Sequence, residues 1–460
     1  MTLPDTFAQD LAGIVGPSYV RAEAADLERY AADALAIPST PDIVVIPADT
    51  GEIAAIARLC QVHAVPLVVR GAGTGYTGGA VPTQGGVVLS MERFNRILEI
   101  DDANLLAIVE PNVITGDLQR AVEAVGLFYP PDPASLDRSS IGGNVAECAG
   151  GPRAFKYGTT KHYVLALEAV LPNGDIIHTG SKAVKNVVGY DLTQLLVGSE
   201  GTLAIITKVT LRLIPKPPAH ATLSASFADV RGASAAVTEL IRRRVVPAAI
   251  ELIDADSLRA MASQGSADVA APGANALVII ECDGTPAAVE EEAARVHDAC
   301  VAAGALAIAR GTSEAERDAL WAARRNLSLA LRATGLLKIN HDVVVPRGRI
   351  PELFDVLAAL KEEYRLQIAS FGHAGDGNIH VNLMIDRSDP EELTRARRAE
   401  RALFERVVAL GGSITGEHGI GFAKRAYLAI ELSPETIALM KRVKAAFDPA
   451  GILNPGKIFP

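Results

Sequence analysis

The segment Phe371-Gly-His-Ala-Gly-Asp-Gly-Asn-Ile-His-Val-Asn382 places two histidines on either side of a glycine-rich turn. Glycine accepts positive φ, and Asp and Asn tolerate turns, so Gly375-Asp-Gly-Asn378 favours a tight reversal of the chain. Because apolar runs lie on both sides of this turn, the pattern predicts a β-hairpin. The hairpin would bring His373 and His380 to one end of a rigid scaffold.

A second motif, Gly416-Glu-His-Gly419, adds a carboxylate and a third imidazole some forty residues downstream. Two neutral imidazoles and one carboxylate can hold a divalent metal and leave positions open for a substrate, as in catalytic zinc sites. The motifs therefore predict a metal site formed by His373, His380 and Glu417. A histidine beside glycines is also commonly a hydrogen-bonded structural residue, and that alternative stays open.

The composition is that of a globular protein of two or three domains. The chain has 460 residues, of which 49% are hydrophobic and 21% charged. Its 44 basic and 54 acidic side chains give a net charge of −10, and no basic run exceeds Arg242-Arg243-Arg244. These features argue against nucleic acid as a partner.

Cysteine usage and hydropathy point to a reducing compartment. The 4 cysteines form no C-x-x-C pair, so we expect reduced thiols. The amino-terminal residues lack the pattern of a signal peptide, and no window offers about 18 uninterrupted apolar residues. We expect a cytoplasmic protein without a transmembrane segment, for which any membrane association would be peripheral, at the inner face.

The first part of the chain predicts alternating helices and strands. A helical pattern covers Thr2 to about Pro38, a strand Ile43–Ile46, a helix Thr50–His63 and a strand Pro66–Val69. The strand leads into Arg70-Gly-Ala-Gly-Thr-Gly-Tyr-Thr-Gly-Gly79. Such a density of glycine is typical of a loop whose backbone N–H groups pack against a phosphate.

This glycine loop does not have the context of a nicotinamide-dinucleotide site. A strand pattern, Gly86–Ser90, follows it where a Rossmann unit would have a helix, and no acidic residue ends a second parallel strand. The sequence therefore disfavours nicotinamide binding. A glycine-rich loop without a ligand remains an alternative.

Two further glycine clusters follow, at Ser139–Gly151 and Gly198–Thr202. Small side chains fill most of the second cluster, and Lys156-Tyr-Gly158 closes it. The third leads into a predicted strand, Leu203–Leu213, and a stop at Pro215–Pro218. Three clusters separated by strands indicate a ligand that is too long for a single loop.

Seven motifs in order resemble the FAD-linked 2-hydroxyacid dehydrogenases of the vanillyl-alcohol-oxidase superfamily. That group includes D-lactate dehydrogenase (cytochrome), the glycolate oxidase large subunit and D-2-hydroxyglutarate dehydrogenase. The resemblance covers nearly the whole chain. The motifs are Arg70–Gly75, Ile141–Asn144, Gly189–Leu192, Gly198–Leu203, Gly372–Asn378, Gly416–Gly421 and Leu453–Lys457.

The resemblance implies an α+β fold of three parts. Residues 1–218 would form an FAD-binding domain of the PCMH type, and residues 219–410 a ferredoxin-like substrate domain. Residues 411–460 would return to the flavin and complete both the active site and the flavin site.

The resemblance also implies a set of FAD-binding residues. The first loop contains Thr74, Tyr76 and Thr77 but no histidine, so we expect noncovalent FAD. Cys148 could form a covalent thioether, although a small buried thiol is the favoured interpretation. The implied FAD contacts are Arg70, Gly71, Ala72, Gly73, Thr74, Gly75, Thr77, Gly78, Pro131, Asp132, Ser135, Ile141, Gly142, Gly143, Asn144, Gly150, Gly151, Tyr157, Gly158, Glu200, Gly201, Ile205, Ile206 and Asn454.

Roles in catalysis follow from the same resemblance. The metal bound by the two histidines and the glutamate would be zinc, with manganese or iron as alternatives. His418 would be the general base, since histidine is the side chain that titrates near neutral pH. Arg324, Ser328, Lys338 and Asn382 would bind the substrate.

Two substrate classes stay open at this point. Arg324, Ser328 and Lys338 together hint at a second substrate carboxylate, as in a D-2-hydroxyglutarate dehydrogenase. The central region, Gly151–Lys216, is more similar to the glycolate and lactate branch, which is the preferred interpretation.

The predicted function is oxidation of a D-2-hydroxy acid of the D-lactate or glycolate class by hydride transfer to FAD. Electrons would pass to a cytochrome, quinone, electron-transfer flavoprotein or iron-sulfur subunit rather than to nicotinamide. Besides the hydroxyglutarate enzyme, the alternative is a flavin-binding subunit of a larger redox complex that does no substrate chemistry. The oligomeric state stays open, with a homodimer as one option.

Overall fold

The computed structural model describes residues 3–265, 269–311 and 313–460. Its helices are α1 (Phe7–Val15), α2 (Ala24–Glu28), α3 (Thr50–Val62), α4 (Thr115–Glu123), α5 (Ile141–Glu147), α6 (Ala154–Tyr157), α7 (Leu192–Leu196), α8 (Val230–Arg242), α9 (Ala255–Ser263), α10 (Pro286–Ala302), α11 (Glu314–Arg332), α12 (Ile350–Tyr364), α13 (Pro390–Ala409), α14 (Leu428–Glu431) and α15 (Pro434–Phe447). Its strands are β1 (Val20–Arg21), β2 (Ile43–Val45), β3 (Leu67–Arg70), β4 (Val87–Ser90), β5 (Ile97–Asp101), β6 (Leu106–Val109), β7 (Leu127–Phe128), β8 (Val164–Val170), β9 (Ile176–Gly180), β10 (Ile205–Arg212), β11 (Ile214–Pro215), β12 (Ala219–Phe227), β13 (Ala249–Ile253), β14 (Ala276–Gly284), β15 (Ala307–Gly311), β16 (Leu337–Val344), β17 (Gln367–His373) and β18 (Asn378–Ile385).

The chain divides into two compact units. The first unit comprises Met1–Gly150, Thr159–Lys216 and Glu417–Pro460. The second unit comprises Gly151–Gly158 and Pro217–Gly416. Each unit is therefore assembled from segments that are far apart in the sequence.

The first unit contains a sheet with strand order β1-β2-β4-β3 and another with order β5-β6-β10-β8-β9. The pairs β2–β4 and β4–β3 are parallel, and α3 connects β2 to β3. Helix α3 begins at Thr50 because the Asp49 carboxylate accepts a hydrogen bond from Glu52 N (2.9 Å). The carboxy-terminal segment joins this sheet, since Leu67 N donates to Ile452 O (2.8 Å) and Leu453 is fully buried.

The second unit is built on an antiparallel sheet with strand order β15-β12-β14-β13-β17-β18-β16. Residues directly opposite one another in such a sheet point to the same face. Helices α9 and α11 pack on one face, where Leu327 and Leu331 of α11 meet Ile253 and Ile279. Helices α8, α10, α12 and α13 also pack against the strands of this sheet.

Most of the predicted elements of the first unit and the hairpin are confirmed. The helix predicted over Thr50–His63 and the two strands around the central turn are present, and the first glycine loop runs from strand β3 to strand β4. The helical pattern predicted from Thr2 to about Pro38 is confirmed only in part. Helix α1 ends at Val15, because Gly16 has φ of +85° and a proline follows, and α2 covers only Ala24–Glu28. Thr2, where that prediction begins, lies outside the described residues.

Within the described residues, no helix combines the length and the apolar character that crossing a bilayer requires.

The turn between β17 and β18 should not tolerate a side chain at Gly377. Its φ is +88°, and a Cβ there would collide with the backbone oxygen of Val345. We expect Gly377→Ala to destabilise the protein by about 1–3 kcal/mol from backbone strain alone, measured as a shift of the urea unfolding midpoint. Gly348→Ala is the matched control, since nothing lies within 4 Å of a Cβ there. Equal urea midpoints for the two variants would contradict the conclusion that the turn excludes a side chain at Gly377.

Candidate functional site

The first two glycine clusters lie side by side in the first unit. The loop after β3 needs glycine at Gly73, whose φ is +67°. Ala72 N donates to Ser140 Oγ (3.4 Å), and the same oxygen accepts from Gly143 N (3.3 Å) as the cap of α5. The hydroxyl of Ser140 therefore connects the loop of the first cluster to the helix of the second.

The third cluster is held by the carboxy-terminal segment. The buried Glu200 carboxylate accepts from Ile420 N (2.8 Å) and Gly421 N (2.6 Å), and burial raises the pKa of Glu200. Asn454 Nδ2 donates to Gly79 O (2.9 Å) and to Glu200 O (2.8 Å). Asn454 thus ties the first cluster to the third.

Orphaned polar atoms around these clusters fit an extended polar ligand such as FAD. Among the described residues, Arg70 Nη1, Asn112 Oδ1 and Asn454 Oδ1 are buried and have no hydrogen-bond partner. Buried polar atoms are normally satisfied, so groups of a ligand are reasonable partners for them. Asn112, which the sequence analysis missed, lies beside Gly71. Its only signal in the sequence is a polar residue after a buried strand.

Other members of the predicted flavin set have different surroundings. Ile205 is fully buried in the apolar core of the first unit. Gly151, Tyr157 and Gly158 belong to the second unit. There the Tyr157 hydroxyl donates to Asp283 Oδ2 (2.6 Å). Apart from Gly151, the residues of the three glycine clusters belong to the first unit, whereas Gly151, Tyr157 and Gly158 belong to the second.

The predicted base, His418, lies against the first glycine loop. Its ring stacks on Tyr76 with 5.1 Å between centroids and 25° between planes. Thr77 Oγ1 donates to His418 O (3.2 Å). The neighbouring Glu417 carboxylate lies next to Gly150, where a Cβ would come within 3.0 Å of Glu417 Oε2. Glu417 and His418 therefore lie beside the first two glycine clusters.

The hairpin of the second unit brings the two predicted histidine ligands together. The His373 and His380 rings lie 5.2 Å apart, edge to face, and a ring nitrogen of each lies within 4.8 Å of one from the other. Opposite His380 on β16 is Asp342, whose Oδ2 accepts from Gly416 N (2.8 Å). Gly416 is the last residue of this unit, and Glu417 follows it in the chain.

A buried carboxylate that the sequence analysis missed, Glu251, lies opposite His373 in the sheet. Its two oxygens bond to His373 Nδ1 and to Arg324 Nε. Burial disfavours its charge, but Arg324 and then His373 outweigh burial, so the pKa of Glu251 is below its usual range. The available signal was a single charged residue within the apolar run Ala248–Ile253.

The predicted substrate residues share the side of the sheet that α11 covers. Lys338 Nζ donates to Ser328 Oγ (2.6 Å). Ser328 lies one helical turn after Arg324 on α11. Asn382 Oδ1 accepts from Asn340 Nδ2 (2.8 Å), and its own Nδ2 donates to Ala369 O (3.0 Å). The structure thus combines an arginine, a lysine, a hydroxyl and an amide with two imidazoles in one unit. This set can bind and orient a carboxylate.

Lys338 should titrate far below an ordinary lysine. Burial, together with the charge of Arg332, lowers the pKa of Lys338 to about 8, so the side chain is charged below that pH and neutral above it. We expect NMR of ¹³C-dimethylated protein to show a lysine signal that titrates near pH 8 and is absent from Lys338→Arg. Burial also lowers the pKa of Lys457 to about 8, so Lys457→Arg identifies the second such signal. Loss of a signal titrating above pH 10 in Lys338→Arg would contradict the prediction.

Two protein-family models match the chain. The model described as "FAD linked oxidases, C-terminal domain" matches residues 216–458. The model described as "FAD binding domain" matches residues 41–180.

Curated relatives match over nearly the full chain. The glycolate oxidase subunit GlcD of Bacillus subtilis is 44% identical over 422 residues, covering 92% of this chain and 89% of the relative. The subunit GlcD of Escherichia coli is 40% identical over 435 residues, covering 94% and 86%. A D-lactate dehydrogenase of Archaeoglobus fulgidus is 38% identical over 418 residues, covering 90% and 91%.

Solved structures share the fold. A p-cresol methylhydroxylase with substrate bound has a TM-score of 0.82 at 20% identity, covering 99% of this chain and 96% of its own. A 4-ethylphenol oxidase from Gulosibacter chungangensis has a TM-score of 0.80 at 21% identity, covering 100% and 99%. The predicted α+β fold is confirmed.

Proposed function

This chain belongs to the family of FAD-linked oxidases, and we propose that it oxidises a D-2-hydroxy acid of the glycolate or D-lactate class to the 2-oxo acid. One observation carries the proposal: Arg324, Lys338 and the imidazoles of His373 and His380 all lie on the same face of the sheet in the second unit. A 2-hydroxy acid needs a cation for its carboxylate and an acceptor for its hydroxyl proton. Relatives named glycolate oxidase subunit and D-lactate dehydrogenase support this substrate class.

Arg324 is suited to hold the substrate carboxylate. Its Nε is bonded to Glu251, and its guanidinium carbon lies 4.6 Å from the centre of the Phe371 ring. These contacts fix the plane of the guanidinium, and its two Nη groups form the fork that matches a carboxylate. The α-carboxylate would therefore be held in a defined orientation.

His418 is suited to accept the hydroxyl proton. Its ring is held by the stacking on Tyr76, and its backbone oxygen accepts from Thr77. A base that is held in one orientation can take the proton as the Cα–H bond breaks. FAD, when bound by the glycine clusters, supplies the acceptor for the hydride.

We propose that His373, His380 and Glu417 would hold a divalent metal, with zinc as the first choice and manganese or iron as alternatives. The donor set supports it: a carboxylate can only accept, so His373 must donate from Nδ1 to Glu251, which leaves Nε2 as its metal-binding nitrogen. When bound, such a metal would polarise the substrate hydroxyl.

A D-2-hydroxyglutarate dehydrogenase is the second candidate, and one observation favours it. Lys338 is partly buried beside Ser328, and no described carboxylate lies within ion-pair distance of its ammonium. A second substrate carboxylate would be a suitable partner for this cation.

We further propose that the electrons leave through a protein or quinone carrier. The sequence has no second dinucleotide-binding pattern, and two of the relatives carry the word subunit in their names.

Anaerobic bleaching of the flavin absorbance tests the substrate class. We expect D-lactate or glycolate to reduce the flavin at least tenfold faster than L-lactate or D-2-hydroxyglutarate, because a pocket built for one configuration and one carboxylate leaves polar groups unpaired with the others. Faster bleaching by D-2-hydroxyglutarate would select the second candidate. No bleaching by any of these acids would refute both and favour a flavin-binding subunit.

His418→Ala should slow flavin reduction by about 10²–10⁴-fold while FAD remains bound, since removal of a general base affects the chemical step. Stopped-flow absorbance at saturating substrate measures the rate, and the visible spectrum of the resting protein reports bound FAD. His178→Ala is the control, because that exposed histidine lies on β9 in the same unit. Reduction by His418→Ala at the wild-type rate would remove this residue from the mechanism.

A further inference from the structure

Glu251 stands out among the buried charges of the second unit because it contacts two functional residues at once. It is fully buried in the middle of β13, and the residues on either side of it are apolar. One of its oxygens bonds to His373 Nδ1 and the other to Arg324 Nε. A single carboxylate thus holds a proposed metal ligand and the proposed substrate arginine.

The sheet register places Glu251 beside His373, and helix α11 brings Arg324 to the same face. Glu251 is paired directly with His373 across β13 and β17, so both side chains leave the same face of the sheet. Arg324 reaches the same face from α11 and is itself 5% exposed. Its guanidinium lies over the ring of Phe371, which is two residues before His373. The centroids of the Phe371 and His380 rings are 5.3 Å apart.

An outer carboxylate has a defined effect on a ligating histidine. It fixes the tautomer and the ring orientation and raises the basicity of the metal-binding nitrogen, and its loss typically weakens metal affinity 10–100-fold. A buried ion pair, by contrast, is weak evidence of a stabilising role, since apolar replacements are often as stable.

We propose that Glu251 is a positioning residue that sets the orientation of both the metal-ligating His373 and the carboxylate-binding Arg324. The inference rests on the proposed function, because it takes the metal and substrate roles of those two residues from it. Both oxygens of Glu251 bond to these two side chains, so in this proposal Glu251 would not itself bind the metal or the substrate. Its effect on the reaction is exerted through the imidazole and the guanidinium.

Glu251→Gln tests the inference, because glutamine keeps the shape but cannot accept from both partners with two oxygens. After metal is stripped from the FAD-loaded protein, competition with a chromophoric chelator gives the Kd for Zn²⁺. We expect the Kd to rise 10–100-fold in Glu251→Gln. The KM for the hydroxy acid should also rise, because Arg324 loses its support.

Glu281→Gln is the matched control. Glu281 is a buried glutamate on the adjacent strand β14, and it pairs with Arg153 at 3.6 Å. The same substitution there should leave the Kd for Zn²⁺ and the KM unchanged.

A double variant separates positioning from simple destabilisation. Glu251→Gln leaves Arg324 buried beside a neutral group, which lowers stability. Adding Arg324→Met removes that charge, so the urea midpoint should recover while the Kd for Zn²⁺ stays raised. Recovery of the wild-type Kd in the double variant would overturn the inference, as would an unchanged Kd in Glu251→Gln.

Failure of the metal assignment is recognisable separately. If stripped wild-type protein binds none of Zn²⁺, Mn²⁺ and Fe²⁺, the metal part of the proposed function is wrong and the inference is overturned with it. If the wild type binds Zn²⁺ and Glu251→Gln binds it equally well, only the inference is wrong.

Discussion

The register of the antiparallel sheet in the second unit is the constraint that brings its buried polar side chains together. Directly paired residues share a face, so β13, β17, β18 and β16 place Glu251 with His373, His380 with Asp342, and Asn382 with Asn340. A slip of one residue would send the slipped strand's members of this set to the opposite face. The tight turn at Gly377, where a side chain does not fit, helps to fix that register.

The first unit depends on hydrogen bonds between side chains and distant backbone rather than on strand register. Asn454 bonds to the carbonyls of two glycine clusters. Lys444 Nζ donates to Thr202 O (2.6 Å) and Leu453 O (2.8 Å), and burial lowers the pKa of Lys444. Glycine-rich loops have few side chains of their own to pack, so polar contacts from the carboxy-terminal segment hold them in place. The carboxy-terminal segment is therefore a structural part of the glycine clusters.

Local features were predictable wherever one short segment decides the conformation. The hairpin at Gly375–Asn378 follows from turn residues between two apolar runs, and the helix starting at Thr50 from its cap and its periodicity. The helical pattern predicted from Thr2 to about Pro38 was only partly right, because the prediction did not take account of the break at Gly16 and Pro17. Glycine and proline commonly end helices, and this local signal was present in the sequence.

The sequence by itself determined the glycine clusters, the histidine pair on one hairpin and the Glu-His motif, because each is a local pattern of residue types with its own turn chemistry. Only the tertiary structure decided that Glu251 lies opposite His373, that Asn454 joins two loops and that residues 151–158 belong to the second unit. These facts depend on which strands become neighbours and on contacts between segments more than a hundred residues apart. Spacing along a chain carries no information about such pairings until the sheet has assembled.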